Sequence, residues 1–227
     1  MTRFAAATLA LILLSGASVF AQNATPKVQV FAGYSLLHAD NGGLTASAFN
    51  AALNQPAGTF GLTSNYNGWN AQVQYRVNRW LGVAADFAGH YGMPFPSSNT
   101  LLEQLPNSNE YSIMFGPVLT FKPVWKVTPF VHAFGGFDRT HLDAGSIPGL
   151  FGSSAFVTDW APAVAAGGGI DYKVFPHMSV RVGQVDYVYT GHNLNAYYGD
   201  AFGPNVLKNL ATRENDLRFS SGIVLRF

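Results

Sequence analysis

The chain has 227 residues, with 13 lysines and arginines against 12 aspartates and glutamates and no cysteine. That balance supplies no field for a nucleic-acid partner, and a chain without cysteine must close its fold without disulfides. Charged residues make up only 11% of it, against roughly 25% in soluble domains, so much of the surface is expected to face something other than water.

Arg3, the uncharged run Phe4 to Leu14 and the small residues around Ala21 read as a secretory signal peptide cleaved before Gln22. Residues 1–21 are therefore expected to be removed and residues 22–227 to form one domain. The apolar run is shorter than the roughly 20 residues a membrane-crossing helix needs, and no later segment has the roughly 18 consecutive apolar residues of such a helix. In hydrocarbon the other structure that satisfies its own backbone hydrogen bonds is a closed β-barrel.

Strand signals follow in chain order. Lys27 to Leu36 sets Val28, Val30, Ala32, Tyr34 and Leu36 opposite Gln29, Gly33 and Ser35. Trp69 to Val77 alternates most cleanly, with apolar residues at odd positions and polar ones at even positions; a helix would mix both classes on each face. Leu81 to Tyr91 puts Leu81, Val83, Ala85 and Phe87 against Asp86 and His90, and Tyr111 to Lys122 puts Tyr111, Ile113, Phe115, Leu119 and Phe121 against Ser112, Gly116, Thr120 and Lys122. Val127 to Thr140, Trp160 to Lys173 and Met178 to Thr190 are predicted strands whose facing is open, because Gly135-Gly136, Gly167-Gly168-Gly169 and Gly183 are candidates for bulges or tight curvature, where alternation slips. Asp216 to Phe227 closes the series, with Leu217, Phe219, Ile223, Leu225 and Phe227 opposite Arg218, Ser220, Gly222 and Arg226.

Eight strands is the even count of the smallest bacterial barrels, and the predicted class is all-β, an eight-stranded antiparallel up-and-down transmembrane barrel. Connections alternate between long and short, as they do when long loops face outward and short turns face the periplasm. All four tryptophans fall at strand ends, Trp69 and Trp160 beside long loops, Trp80 and Trp125 beside short turns, and are candidates for two interfacial girdles.

Polar-face or unphased ionisable residues form a candidate interior network: Arg76, Asp86, His90, His132, Asp138, Asp171, Arg181, Asp186 and Arg218. An eight-stranded barrel is just wide enough to be filled by side chains, and charges there are expected to pair. The competing readings of the same residues are a narrow ion path or a binding pocket. His90, His132, His141, Ser97, Ser98, Ser153 and Ser154 are the raw material for a lipid-modifying enzyme, but no recognised spacing links them. His38 with Asp40, and His141 with Asp143, lack a third metal ligand nearby. Neither a catalytic residue, a metal nor a cofactor is expected. Phe49, Phe60, Phe95, Phe151, Phe156 and Phe202 in the long loops fit packed loop tips, an entrance for hydrophobic ligands, or contact with lipopolysaccharide.

The alternating strands, the loop pattern, the ending Leu225-Arg226-Phe227 and the segments Gly116-Pro117-Val118-Leu119-Thr120-Phe121 and Gly168-Gly169-Ile170-Asp171-Tyr172 resemble the small outer-membrane barrels of the OmpA and OmpX type. The resemblance implies an outer-membrane location in the Gram-negative cell envelope, contact with outer-membrane lipids and lipopolysaccharide, and a terminal strand whose Ile223, Leu225 and Phe227 are read by the barrel-assembly machinery. OmpA-type proteins often carry a peptidoglycan-binding domain after the barrel. The chain stops at Phe227, so tethering through such a domain is not expected. The function expected is a monomeric barrel with a structural or surface-interaction role and a plugged lumen. Its alternatives are a porin-like passive conduit or binding site for small hydrophobic molecules, and a soluble periplasmic ligand-binding barrel.

Overall fold

A computed structural model describes residues 26–52, 54–93, 107–143, 156–196 and 210–227. The expected signal peptide lies outside them. Eight strands run in chain order: β1 (Val28–His38), β2 (Asn65–Arg76), β3 (Leu81–Gly92), β4 (Asn107–Thr120), β5 (Val127–Asp143), β6 (Phe156–Phe175), β7 (Met178–Thr190) and β8 (Glu214–Arg226). Each pairs antiparallel with its neighbours, and β8 returns to pair with β1, so the sheet closes into an up-and-down barrel. Closure leaves no unpaired edge.

The period-two pattern sets the facing. On β2, Asn70, Gln72 and Gln74 are buried while Trp69, Val73 and Tyr75 are exposed, as the alternation predicts. On β8, Arg218 and Ser220 point inward and Leu217, Phe219, Ile223 and Leu225 outward. The unphased strands resolve in the same way: Thr128, Phe130, His132, Phe134 and Asp138 of β5 face in, as do Ala161, Ala163, Ala165 and Asp171 of β6.

Of the three glycine segments, one carries a bulge. Val182 and Gly183 together oppose the single Ser221 on β8, so β7 carries a bulge there and its inward set shifts from Ser179 and Arg181 to Gln184, Asp186 and Val188. The Ser221 hydroxyl donates to the Arg181 carbonyl at 3.0 Å and holds the bulge. Gly135-Gly136 and Gly167 to Gly169 are not bulges: β5 and β6 pair in unbroken register through both. Gly167 and Gly169 make room instead. A Cβ on Gly167 would lie 2.2 Å from Asp186 Oδ1, and one on Gly169 2.8 Å from Phe130 Cζ.

Short turns join β2 to β3, β4 to β5 and β6 to β7, and long connections occupy the other end, as the sequence predicts. The β2–β3 turn is built by Asn78, whose Oδ1 accepts from the Trp80 and Leu81 amides at 2.9 and 2.8 Å. Several strands reach further into the long-loop end than predicted, β6 beginning at Phe156 rather than Trp160. The first long loop carries helix α1 (Ala46–Ala52). Thr45 caps it through the Ala48 amide, and Asn50 exchanges two hydrogen bonds with the Phe60 backbone. Phe49 and Phe60 are buried, their rings edge-to-face 5.5 Å apart. Phe95, Phe151 and Phe202 lie outside the described residues. Gly42 and Leu194 tie the first and last long loops through the backbone of Ala211.

Candidate functional site: the filled barrel interior

Inward-facing side chains assemble into layers. Nearest the short-turn end, Arg181 of β7 donates to Asp171 Oδ1 at 2.9 Å and to Gln184 Oε1 at 2.6 Å. Its guanidinium lies between the rings of Phe31 on β1 and Phe130 on β5, 4.3 and 4.2 Å from their centroids. Planar Arg stacks well on aromatic faces. With β1 and β5 four strands apart in an eight-stranded ring, the Phe31–Arg181–Phe130 stack runs wall to wall. Arg226 donates to Asp171 Oδ2 at 3.2 Å and to Ser179 below it.

At the next level Arg218 of β8 joins two carboxylates. It lies 2.9 Å from Asp86 Oδ1 on β3 and 2.7 Å from Asp186 Oδ2 on β7, and all three side chains are at most 1% exposed. Asp186 also bonds His132 at 2.8 Å and Gln184 at 2.7 Å. Asp86 keeps Asn70 at 2.9 Å. His132 stacks on Phe134 at 4.3 Å. His90 meets Ser35 at 2.9 Å, and Ser35 meets Ser220 at 3.1 Å. A charge buried at this depth persists only when paired and hydrogen-bonded, which explains why Asn and Gln crowd these faces.

At the long-loop end His192, just beyond β7, bonds Asp138 at 3.1 Å and Asp159 at 2.8 Å. Burial disfavours its charge, but the two carboxylate hydrogen bonds outweigh burial and its pKa is pushed up to about 9. Beside it lies a small cavity of about 40 Å³ lined by Tyr66, Glu110, Thr140, His192 and Glu214. Asp216 is buried nearby and accepts from the Asp40 amide at 2.8 Å.

Eight of the nine predicted interior residues therefore join contacts in the lumen: Asp86, His90, His132, Asp138, Asp171, Arg181, Asp186 and Arg218. Arg76, at the short-turn end of β2, is half-buried and makes no ion pair among the described residues. Sequence reasoning missed Glu110, Glu214, Asp216 and His192. Continuing the inward phase of β4 and β8 past the apolar segments finds the three acids, since 110, 214 and 216 share parity with Ser112 and Arg218. Nothing in the sequence announces His192, whose place depends on how the last long loop folds back. Also missed is an apolar wall inside the barrel, where Ala84, Met114, Val118, Phe130, Phe134, Ala163, Ala165 and Val188 pack together.

On the outer surface, Tyr34, Trp69, Gly89, Tyr111, Arg139 and Trp160 are successive cross-strand partners. Trp69 donates to the Tyr91 hydroxyl at 3.1 Å and covers Gly89. Arg139 lies 5.9 Å from the Trp160 ring centroid. Trp80 and Trp125 are exposed at the opposite end. Phe227 pairs with Val28 through two backbone hydrogen bonds, behind outward-facing Ile223 and Leu225.

Among the described residues the enzymatic and metal candidates do not converge. His90 and His132 lie inside the barrel, His38 bonds Asn65 and His141 bonds Thr158. Among the described residues no three His, Asp or Glu side chains are grouped to hold a metal ion. Ser97, Ser98, Ser153 and Ser154 lie outside the described residues.

No protein-family model matches the chain, and no curated protein matches it. The crystal structure of Ail, the attachment invasion locus protein of Yersinia pestis, superposes with a TM-score of 0.52 at 16% identity, covering 90% of this chain and all (100%) of that one. Ail in complex with the heparin analogue sucrose octasulfate gives the same TM-score of 0.52 at 17% identity, covering 90% and 100% of the two chains. This chain has the fold of the small eight-stranded outer-membrane barrels. At that identity the likeness is one of architecture, and the interior and loops of this barrel are described by its own residues.

Proposed function

We propose that the protein is a monomeric, integral outer-membrane barrel of the OmpA and OmpX type that spans the bilayer as a filled cylinder. It acts through its long loops, in a structural or surface-interaction role, and is neither an enzyme nor a solute conduit. The observation that carries this reading is the wall-to-wall Phe31–Arg181–Phe130 stack above the Asp171 ion pair. Loops tied to one another at the outer end, with Phe49 packed on Phe60 rather than lining a passage, support it against the hydrophobic conduit.

The exterior supports bilayer residence over a soluble periplasmic barrel. Phe115, Phe137, Val164 and Ile223 are each more than half exposed, a surface that water would penalise at roughly 25 cal/mol per Å² of apolar area. Between the rims no charged side chain of the described strands alternates outward, and Arg139 lies in the rim row. That row supports one interfacial girdle in contact with lipopolysaccharide and lipid headgroups, and Trp80 and Trp125 support the other. Ile223, Leu225 and Phe227 serve as the assembly signal on the closing strand. Long loops then face outward and short turns face the periplasm.

The test is electrical. Purified protein refolded into planar bilayers is expected to leave the membrane without unitary current steps, and Arg181→Ala is expected to introduce them. Steady single-channel conductance in the native barrel, or uptake of a hydrophobic solute into vesicles that depends on it, would refute the filled-cylinder reading.

A further inference from the structure

Charge is distributed unevenly along the barrel. The acids Glu110, Asp138, Asp159, Glu214 and Asp216 gather toward the long loops, while Lys27, Arg76, Arg79, Lys126, Lys173 and Arg226 gather at the short-turn mouth. There, Arg76, Arg79, Lys173 and Arg226 line one open cavity of about 230 Å³, together with the hydroxyl-bearing Thr120 and Thr128. An adjoining cavity of about 320 Å³ shares Arg76 and Arg79 and adds Lys27. Neither cavity has an acidic residue in its lining.

Among the described residues a single carboxylate, Asp171, pairs with this group, and only at Arg226. Asp171, behind the cavity, is already committed to Arg181 at 2.9 Å and to Arg226 at 3.2 Å. The Arg76 guanidinium makes no hydrogen bond or ion pair with any described residue, although the side chain is half-buried. Arg76 and Arg226 line the same cavity. Holding two partly desolvated guanidiniums side by side is unfavourable unless an anion completes the arrangement. The cavity volume compares with roughly 30 Å³ per liquid water, so it has room for a tetrahedral oxyanion with several waters.

We propose that the short-turn mouth is a binding site for a phosphate monoester or diester group, held by Arg76, Arg79, Lys173 and Arg226. Arginine forks match phosphate oxygens in paired hydrogen bonds and lysine adds a point charge. The threonine hydroxyls donate to whatever oxygen remains. Phe121 and Pro123 on the same rim give the glycerol end of a phospholipid an apolar surface to lie on. The phosphate is therefore either the headgroup of a lipid in the adjacent leaflet or a soluble phosphate, and the binding chemistry is common to both.

The experiment uses the full barrel refolded in maltoside micelles, which contribute no phosphate. Inorganic phosphate is titrated while the arginine side-chain Nε–Hε resonances are followed, with chloride at matched ionic strength as the control. Phosphatidylglycerol retention is measured separately by native mass spectrometry. Saturable movement of the Arg76, Arg79 and Arg226 signals with phosphate but not chloride is expected, with the affinity read at the retained Arg226 weakened at least tenfold in Arg76→Gln/Arg79→Gln and unchanged in Arg213→Gln at the opposite end. Phosphate binding without lipid retention identifies the soluble source. Retained phosphatidylglycerol that blocks the phosphate titration identifies the headgroup. If the double variant does not fold, judged by heat-modifiability in a gel, Arg79→Gln in the exposed turn carries the same test. Equal shifts with phosphate and chloride, or a folded Arg79 variant that binds phosphate and lipid as the native protein does, would overturn the proposal.

Discussion

Replacing Arg218 by methionine removes the one cation shared by Asp86 and Asp186 and keeps most of the side-chain volume. Both carboxylates are 0% exposed, at 2.9 and 2.7 Å from the guanidinium. At an effective dielectric near 20, each contact is a gross attraction of roughly 5–6 kcal/mol, much of it offset by desolvation. What the variant exposes is the cost of leaving charge unpaired in the interior, about 3–5 kcal/mol when one partner of a buried pair is removed. Asp186 keeps His132 and Gln184, but Asp86 keeps only Asn70 among its side-chain partners, so Asp86 should account for most of the loss. Urea unfolding of the barrel in lipid vesicles, followed by tryptophan fluorescence, should show Arg218→Met destabilised by about 3–5 kcal/mol. Adding Asp86→Asn should recover at least half of it. A single variant within about 1 kcal/mol of the native protein, or no recovery in the double variant, would refute the view that these charges are mutually dependent.

On the outer surface, Val73→Arg places a cation on the lipid-facing side of β2 near mid-depth and should cost about 2–4 kcal/mol, whereas Val77→Arg at the short-turn rim should cost about 0–1 kcal/mol. Vesicle unfolding midpoints measure both, and equal tolerance would contradict the assigned facing. His192, with its pKa raised from 6.5 to about 9 by Asp138 and Asp159, contributes up to about 3 kcal/mol. That contribution is complete below pH 6.5 and disappears as pH rises through about 9, so native stability measured between pH 6 and 10 should fall and that of His192→Asn should stay flatter. Parallel pH profiles would show that the His192 contacts carry no such energy.

The strands were legible because a barrel wall separates two solvents, and each strand records that separation every second residue. Residues 69–77 specify their own facing without reference to any other part of the chain, and so do 81–91 and the last strand. The polar side of that alternation also marked Asp86, His90 and Arg218 as interior before any contact was known. Glycine was the ambiguous letter. At Gly183 it accommodates a bulge, while at Gly167 and Gly169 it accommodates Asp186 and Phe130 arriving from neighbouring strands, and nothing local distinguishes the two uses.

Partnership was decided only by closure. Phe31, Phe130 and Arg181 are far apart in sequence and meet because strands one, five and seven face a common axis. Arg218 finds Asp86 because the eighth strand closes against the first. His192 reaches Asp138 and Asp159 from a loop without any periodic pattern. Alternation is a property of one strand and its two environments, so the sequence by itself determines which way a side chain points. What it touches across the lumen depends on strand count, register and the bulge at Val182–Gly183, and these exist only once the whole sheet has closed.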